Sequence, residues 1–270
     1  MIDFTNFSSI AAPQTTSDIA FENKHDAQLM QSITSGTFDF PGGGMNGILL
    51  HGKYGAGKST TAMLIPDAME NTNIGMNLHS RNMFRVMSNN NGVGLLNQID
   101  SMCSFVNLSG DKYQYFILDE VDNLSAAAMP QLKSIMDTHM NRAVFIMTTN
   151  HRSKVDPAVA SRSHVFGFNK VPPDAWLPSM QRVLAAYGIT NMSNNQLLTA
   201  AASINGSGRQ FATCVKQLIS GYYQLFPDLV PPHLLLVNNN TAPIAVAQPL
   251  PVLQTQTLPP SSQSPTVLTP

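Results

Sequence analysis

The chain has 270 residues, 43% of them hydrophobic, which is enough to bury a core in one large domain or two small ones. Only 11% are charged and the formal net charge is −1, which argues against a standing polyanion-binding surface and leaves any nucleic-acid contact local or shared among subunits. Cys103 and Cys214 lie far apart without metal-ligand spacing, so neither a disulfide framework nor a zinc site is expected, and both read as core thiols.

The opening MIDFTNFSSIAAP has no basic leader and no long apolar run, and residues 1–20, polar and weakly patterned, read as a flexible N-terminus. No stretch approaches the roughly eighteen uninterrupted apolar residues of a membrane span, so a soluble, cytoplasmic protein with no membrane association is expected. From 21 to 170, short apolar runs alternate with helical stretches. Strands are expected at 48–51, 74–78, 115–118, 143–147 and 165–168, and helices near 58–70, 93–105 and 126–140. Pro66 should kink or end the first of these helices, and Ser125 looks like the N-cap of the third. Five strands interleaved with helices predict an α/β domain with a parallel sheet. After Pro172 and Pro173 the pattern is helical only, near 174–187, 194–204 and 208–225. Residues 171–230 would form a small helical lid, below the size of an independent core and therefore packed on its neighbour. The proline-rich stretch 231–270 reads as a disordered tail.

Within this frame, HGKYGAGKST at 51–60 directly follows the apolar run Ile48, Leu49, Leu50. Gly52, Gly57, Lys58 and Ser59 satisfy G-x-x-x-x-G-K-[ST] between a strand and a helix-compatible segment. The candidate nucleotide cradle is Gly52, Lys53, Tyr54, Gly55, Ala56, Gly57, Lys58, Ser59 and Thr60. Its backbone N–H groups would wrap phosphate oxygens where a Cβ would collide, and the helix N-terminus adds positive dipole. Lys58 would reach the β- and γ-phosphates while the Ser59 hydroxyl joins a Mg²⁺ shell, as expected for an ATP site.

YQYFILDEVDNL places Asp119 and Glu120 at the end of the third expected strand, where ligands bind open parallel sheets. A strand-end Asp can hold Mg²⁺, often through water, and the adjacent Glu can orient or deprotonate the attacking water. Asp122 is expected to cap the next helix. AVFIMTTN ends the following strand in Asn150, either a turn former or an amide that hydrogen-bonds the lytic water or the γ-phosphate. Arg162, in DPAVASRSHVFGF, is either a surface arginine in an ordinary salt bridge or a finger that stabilises a transferring phosphoryl group across a subunit boundary, with Arg152 the weaker substitute. Arg209, in NGSGRQFAT, is either a helix-surface cation or a γ-phosphate contact coupling nucleotide state to domain angle.

Together these motifs resemble the AAA+ ATPases, and most of all the clamp-loader ATPase subunits of the replication factor C and phage large-subunit type. GILLHGKYGAGKSTTA is similar to the family's nucleotide loop, YFILDEVDNLS to its Walker B segment and VFIMTTN to its sensor-1 strand. VDPAVASRSHVFGF is similar to the finger-bearing Ser-Arg-Cys segment, with Ser163 in place of the cysteine, and GSGRQ to sensor 2. Weaker echoes are MNLHS and MPQLKSIMD, where Gln131 falls on the helix that in clamp loaders couples DNA contact to the acidic pair. RNMFRVMSNNNG does not keep the family's acidic and glycine pattern, and no helical collar follows residue 230. The resemblance spans about residues 20–225. It implies a P-loop NTPase with a five-stranded parallel sheet and a helical lid, hydrolysing ATP with Mg²⁺ in a homo- or hetero-oligomer whose sites lie at subunit interfaces. Arg162 would then act on the neighbour's site. The implied role is DNA replication, opening or loading a sliding clamp, with DNA contacted through the assembly. The alternative is a nucleotide-gated helicase loader or another adaptor of a replication or recombination complex, which the missing collar favours; a remodeller of protein complexes is a third, and no aromatic pore-loop signal supports it. Lys133, Arg142, Arg152 and Lys154 are scattered and read as solubilising surface rather than a DNA track.

Overall fold

Strands buried on both faces are written as unbroken apolar runs, and most of the sheet follows that rule. The computed structural model describes residues 2–70, 81–87, 89–105 and 111–235, with the backbone alone at Arg81. Its strands are β1 (Gly47–His51), β2 (Arg81–Arg85), β3 (Gln114–Asp119), β4 (Ala143–Thr149) and β5 (Ser163–Gly167), all parallel, in the order β2-β3-β4-β1-β5. The helices are α1 (Phe7–Ala11), α2 (Lys24–Thr34), α3 (Lys58–Met69), α4 (Val93–Ser104), α5 (Ala128–Thr138), α6 (Pro157–Ala160), α7 (Leu177–Ala186), α8 (Asn194–Ala201) and α9 (Gly208–Leu225).

Alternation along the strands divides the core into two layers. Leu49, Phe116, Leu118, Phe145 and Met147 face α4 and α5, whereas Ile48, Leu50, Ile117 and Ile146 face α2 and α3. Four expected strands appear within a residue or two of their places. The fifth differs: 74–78 lies outside the described residues, and the strand paired with β3 is RNMFR. As an edge strand it leaves Met83 and Arg85 exposed and turns Phe84 inward, so it lacks the apolar run that marks a central strand.

Two local expectations are corrected. Pro66 does not end α3, which continues to Met69 with its last turn closed by Glu70 N donating to Pro66 O at 3.0 Å. Ala62 and Ile65 beside it are fully buried, and this packing outweighs the one helical bond that proline cannot donate. Helix α5 begins at Ala128 rather than 126, and Ser125 Oγ accepts from Ala128 N at 3.3 Å in the turn that leads into it.

A third cluster gathers α7, α8 and α9 around Met180, Val183, Val215 and Ile219. It also takes in Phe7, Ala11 and Ala20, from the stretch expected to be a flexible N-terminus. Phe4, Phe7 and Ile10 recur at helical spacing, Lys216 lies over the Phe4 ring at 4.7 Å, and Arg182 donates to Ile10 O at 2.8 Å and Ala12 O at 3.0 Å. The small helical unit thus enlarges its core with the start of the chain. Residues 231–235, expected to open the tail, also belong here: Leu234 is buried and Leu235 bridges Ile2. Residues 236–270 lie outside the described residues. Cys103 and Cys214 are buried free thiols, and burial pushes the Cys103 thiol up to about 12. No helix among the described residues is long and apolar enough to cross a membrane.

Candidate nucleotide site

In a parallel sheet the carboxyl ends of adjacent strands open onto one edge. Here His51, Asp119 and Thr149 end β1, β3 and β4 on that edge, so the loop after β1, the acidic pair and Asn150 meet. They line a cleft of about 660 Å³, the size of a small-ligand site. Its other wall is formed by Ile19, Ala20, Trp176, Arg209 and Phe211.

Gly52 opens the loop at φ +150°, and a Cβ there would sit 2.9 Å from the backbone of Phe168. Gly57, at φ +96°, is the N-cap of α3 and turns the chain so that the first turn of the helix faces the cleft. Lys58 is 7% exposed. Its ammonium donates to Gly52 O at 2.9 Å, Lys53 O at 2.8 Å and Asn150 Oδ1 at 2.9 Å, using all three N–H groups. Burial lowers its pKa, and the nearby Asp119, Asp122 and Glu120 carboxylates oppose that shift.

Asp119 Oδ1 accepts from Ser59 Oγ at 2.7 Å and from Thr148 Oγ1 at 2.6 Å. Thr148 Oγ1 in turn accepts from Glu120 N at 3.0 Å, which secures Glu120 at φ +61°, a left-handed conformation unusual for a residue with a Cβ. The Glu120 carboxylate is held on both oxygens, by Arg85 Nη2 at 3.1 Å and by Asn123 Nδ2 at 3.3 Å. The residues present suit Mg²⁺: a hydroxyl and a carboxylate oxygen converge beside a space large enough for phosphates. Mg²⁺ is usually bound by one or two carboxylates together with substrate oxygens rather than by an all-protein cage.

The other expected site residues divide by position. Tyr54, Gly55, Ala56 and Thr60 line the cleft; Lys53 is not among the lining residues and is exposed, but it supplies a carbonyl to Lys58. Tyr54 is exposed, its ring edge-on to His151 with centroids 6.5 Å apart. Arg209 lies on the helical wall, where Gly208 N donates to Gly55 O at 2.9 Å and joins the start of α9 to the phosphate loop. Arg162 is not among the cleft-lining residues; it is paired with Asp137 on α5. Asp122 does not cap α5 but accepts from Thr149 Oγ1 at 2.8 Å, fixing the strand end before Asn150. Sequence reasoning missed Thr148 and Arg85. Thr148 stands two positions before Asn150 at a strand end, a readable signal. Arg85 is in register with Asp119 across β2 and β3, which cannot be read while the second strand is placed at 74–78.

Residues 48–169 match the model of the ATPase family associated with various cellular activities (AAA). The chain is 27% identical over 149 residues to a Replication factor C small subunit of Methanoculleus marisnigri, an overlap of 55% of this chain and 45% of that protein. It is 24% identical over 214 residues to Replication factor C subunit 4 of Caenorhabditis elegans, covering 77% and 60% respectively. The matches thus span about half the length of these curated relatives. Thermotoga maritima RuvB, described as a Holliday junction branch migration motor, aligns with a TM-score of 0.55 at 12% identity, covering 81% of this chain and 68% of that one, a likeness of fold. From its first strand to just past its fifth, residues 48–169 thus match the ATPase domain of the AAA family, and the chain is similar in sequence to replication factor C small subunits.

Proposed function

We propose that this chain binds ATP with Mg²⁺ in the cleft, hydrolyses it, and acts in DNA replication as a clamp-loader-type ATPase in an oligomer with nucleotide sites between subunits. The observation that carries this reading is the convergence of Lys58, Ser59, Asp119, Glu120 and Asn150 on one cleft from three parallel strand ends. The sequence likeness to replication factor C small subunits supports the replication role.

Lys58 would exchange its loop carbonyls for phosphate oxygens, aided by the N–H groups of the first turn of α3. Mg²⁺, held by Ser59 and Asp119, would supply charge neutralisation at the phosphate oxygens. Glu120 is the base that accepts the water's proton, and Thr148 sets its backbone while Arg85 and Asn123 set its carboxylate. Asn150, joined to Lys58, would sense the γ-phosphate, and Arg209 would carry nucleotide state to the helical unit. Arg162 would complete the neighbouring subunit's site. Residues 171–230 serve as the lid in this reading.

The test is the partner that stimulates turnover. A sliding clamp with primed DNA should raise the ATPase rate of the full chain. Stimulation by a replicative helicase alone would replace loading with an adaptor role, and a rate indifferent to both would remove the replication role.

A further inference from the structure

Arg162 lies at the junction of α6 and β5, and its guanidinium is engaged within its own chain. Nε donates to Asp137 Oδ1 at 2.5 Å and Nη2 to Asp137 Oδ2 at 3.0 Å, so the carboxylate grips one whole edge fork to fork. Nη1 donates to Ala158 O at 2.8 Å. A guanidinium has five N–H groups; three are used, and one remains on each terminal nitrogen. The Arg162 side chain is 22% exposed, enough to leave part of it open to a partner.

Asp137 occupies the last turn of α5, where the helix dipole disfavours a carboxylate. Its position therefore does not stabilise the helix that carries it. Lys133, one turn earlier, lies 3.9 Å from Asp137 Oδ2 and offsets the charge. Arg162 holds the Asp137 carboxyl below the ordinary range, and Asp137 raises the guanidinium's pKa.

We propose that Asp137 is a positioning residue for Arg162, holding one edge of the guanidinium so that its two remaining N–H groups face the phosphoryl group in a neighbouring subunit's cleft. This rests on the reading of Arg162 as the residue that completes that cleft. Fixing a long side chain before contact lets more of the interaction appear as rate rather than being lost to ordering. It also ties the finger to α5, which follows the acidic pair in the chain, so a shift of α5 moves Arg162 with it.

The test compares Asp137→Asn, Asp137→Glu and Arg162→Ala in the full chain. ATP turnover is followed against protein concentration, nucleotide affinity by calorimetry, and the Arg162 Nε–H resonance in ¹⁵N-arginine-labelled protein. Asp137→Asn should lower the concentration-dependent kcat about tenfold, leave KM and affinity unchanged, and shift and broaden the Arg162 signal. Asp137→Glu should recover part of kcat. An unchanged or higher kcat in Asp137→Asn, or an unmoved resonance, overturns the positioning role. If Arg162→Ala is inactive while Asp137→Asn keeps the full kcat, only the positioning role falls; if Arg162→Ala keeps full turnover, the shared-site reading falls and takes the proposal with it.

Discussion

The floor of the cleft is assembled from strand ends that lie side by side in one sheet, whereas its roof joins segments distant in the chain. On the floor, Lys58 bonds to Asn150, and Ser59 and Thr148 bond to Asp119, at 2.6–2.9 Å, each bond with a charged partner. On the roof, Ser179 Oγ donates to Asp18 O at 2.7 Å across 161 residues, Arg182 donates to Ile10 O and Ala12 O, and Trp176 stacks on Phe211 at 5.2 Å. The floor is held by short, charge-assisted bonds and suits chemistry that demands fixed positions. The roof is held by packing, by side-chain bonds to backbone carbonyls and by one ion pair, Arg182 with Asp18 at 3.0 Å, and suits a wall whose placement follows the ligand.

Substitutions in the two regions should separate these roles. Lys58→Ala should abolish nucleotide binding, seen as loss of calorimetric heat with ATP or ADP; retained affinity would move the phosphate site away from the floor. Glu120→Gln should bind ATP normally while turnover falls about 10²- to 10⁴-fold, measured as phosphate release. On the roof, Phe7→Ala removes a ring only 5% exposed and should cost about 3 kcal/mol in denaturant unfolding. A negligible change there would mean that the N-terminal helix does not belong to the helical core. Thr148→Val keeps the shape but removes the hydroxyl that links Asp119 to Glu120 N. It should destabilise by about 1–3 kcal/mol and slow hydrolysis more than it weakens binding. Arg182→Ala should have the smallest effect on catalysis: a stability loss of about 1.5–3 kcal/mol and a few-fold weaker nucleotide affinity, with kcat unchanged. A fall in its kcat would show the roof taking part in catalysis.

The floor was readable from the chain because each of its parts is local. Gly52, Gly57, Lys58 and Ser59 sit within one strand-to-helix turn, and Asp119 with Glu120 closes an apolar strand. The roof was not. Residues 2–20 look polar in a linear reading, and Phe4, Phe7 and Ile10 acquire a purpose only when α7 and α9 lie beneath them. β2 was misplaced for a related reason, since an edge strand such as RNMFR needs few apolar residues and gives a weak periodic signal.

By itself the amino-acid sequence determined the phosphate loop, the acidic pair and the alternation of strands with helices, because these depend on backbone geometry and side-chain chemistry within a few residues. Tertiary structure alone decided that Arg85 meets Glu120, that the start of the chain packs on the helical unit, and that Asp137 grips Arg162. Each of these pairings depends on strand register or on which helix faces are buried together, and those are set by the packing of the whole core rather than by any one segment.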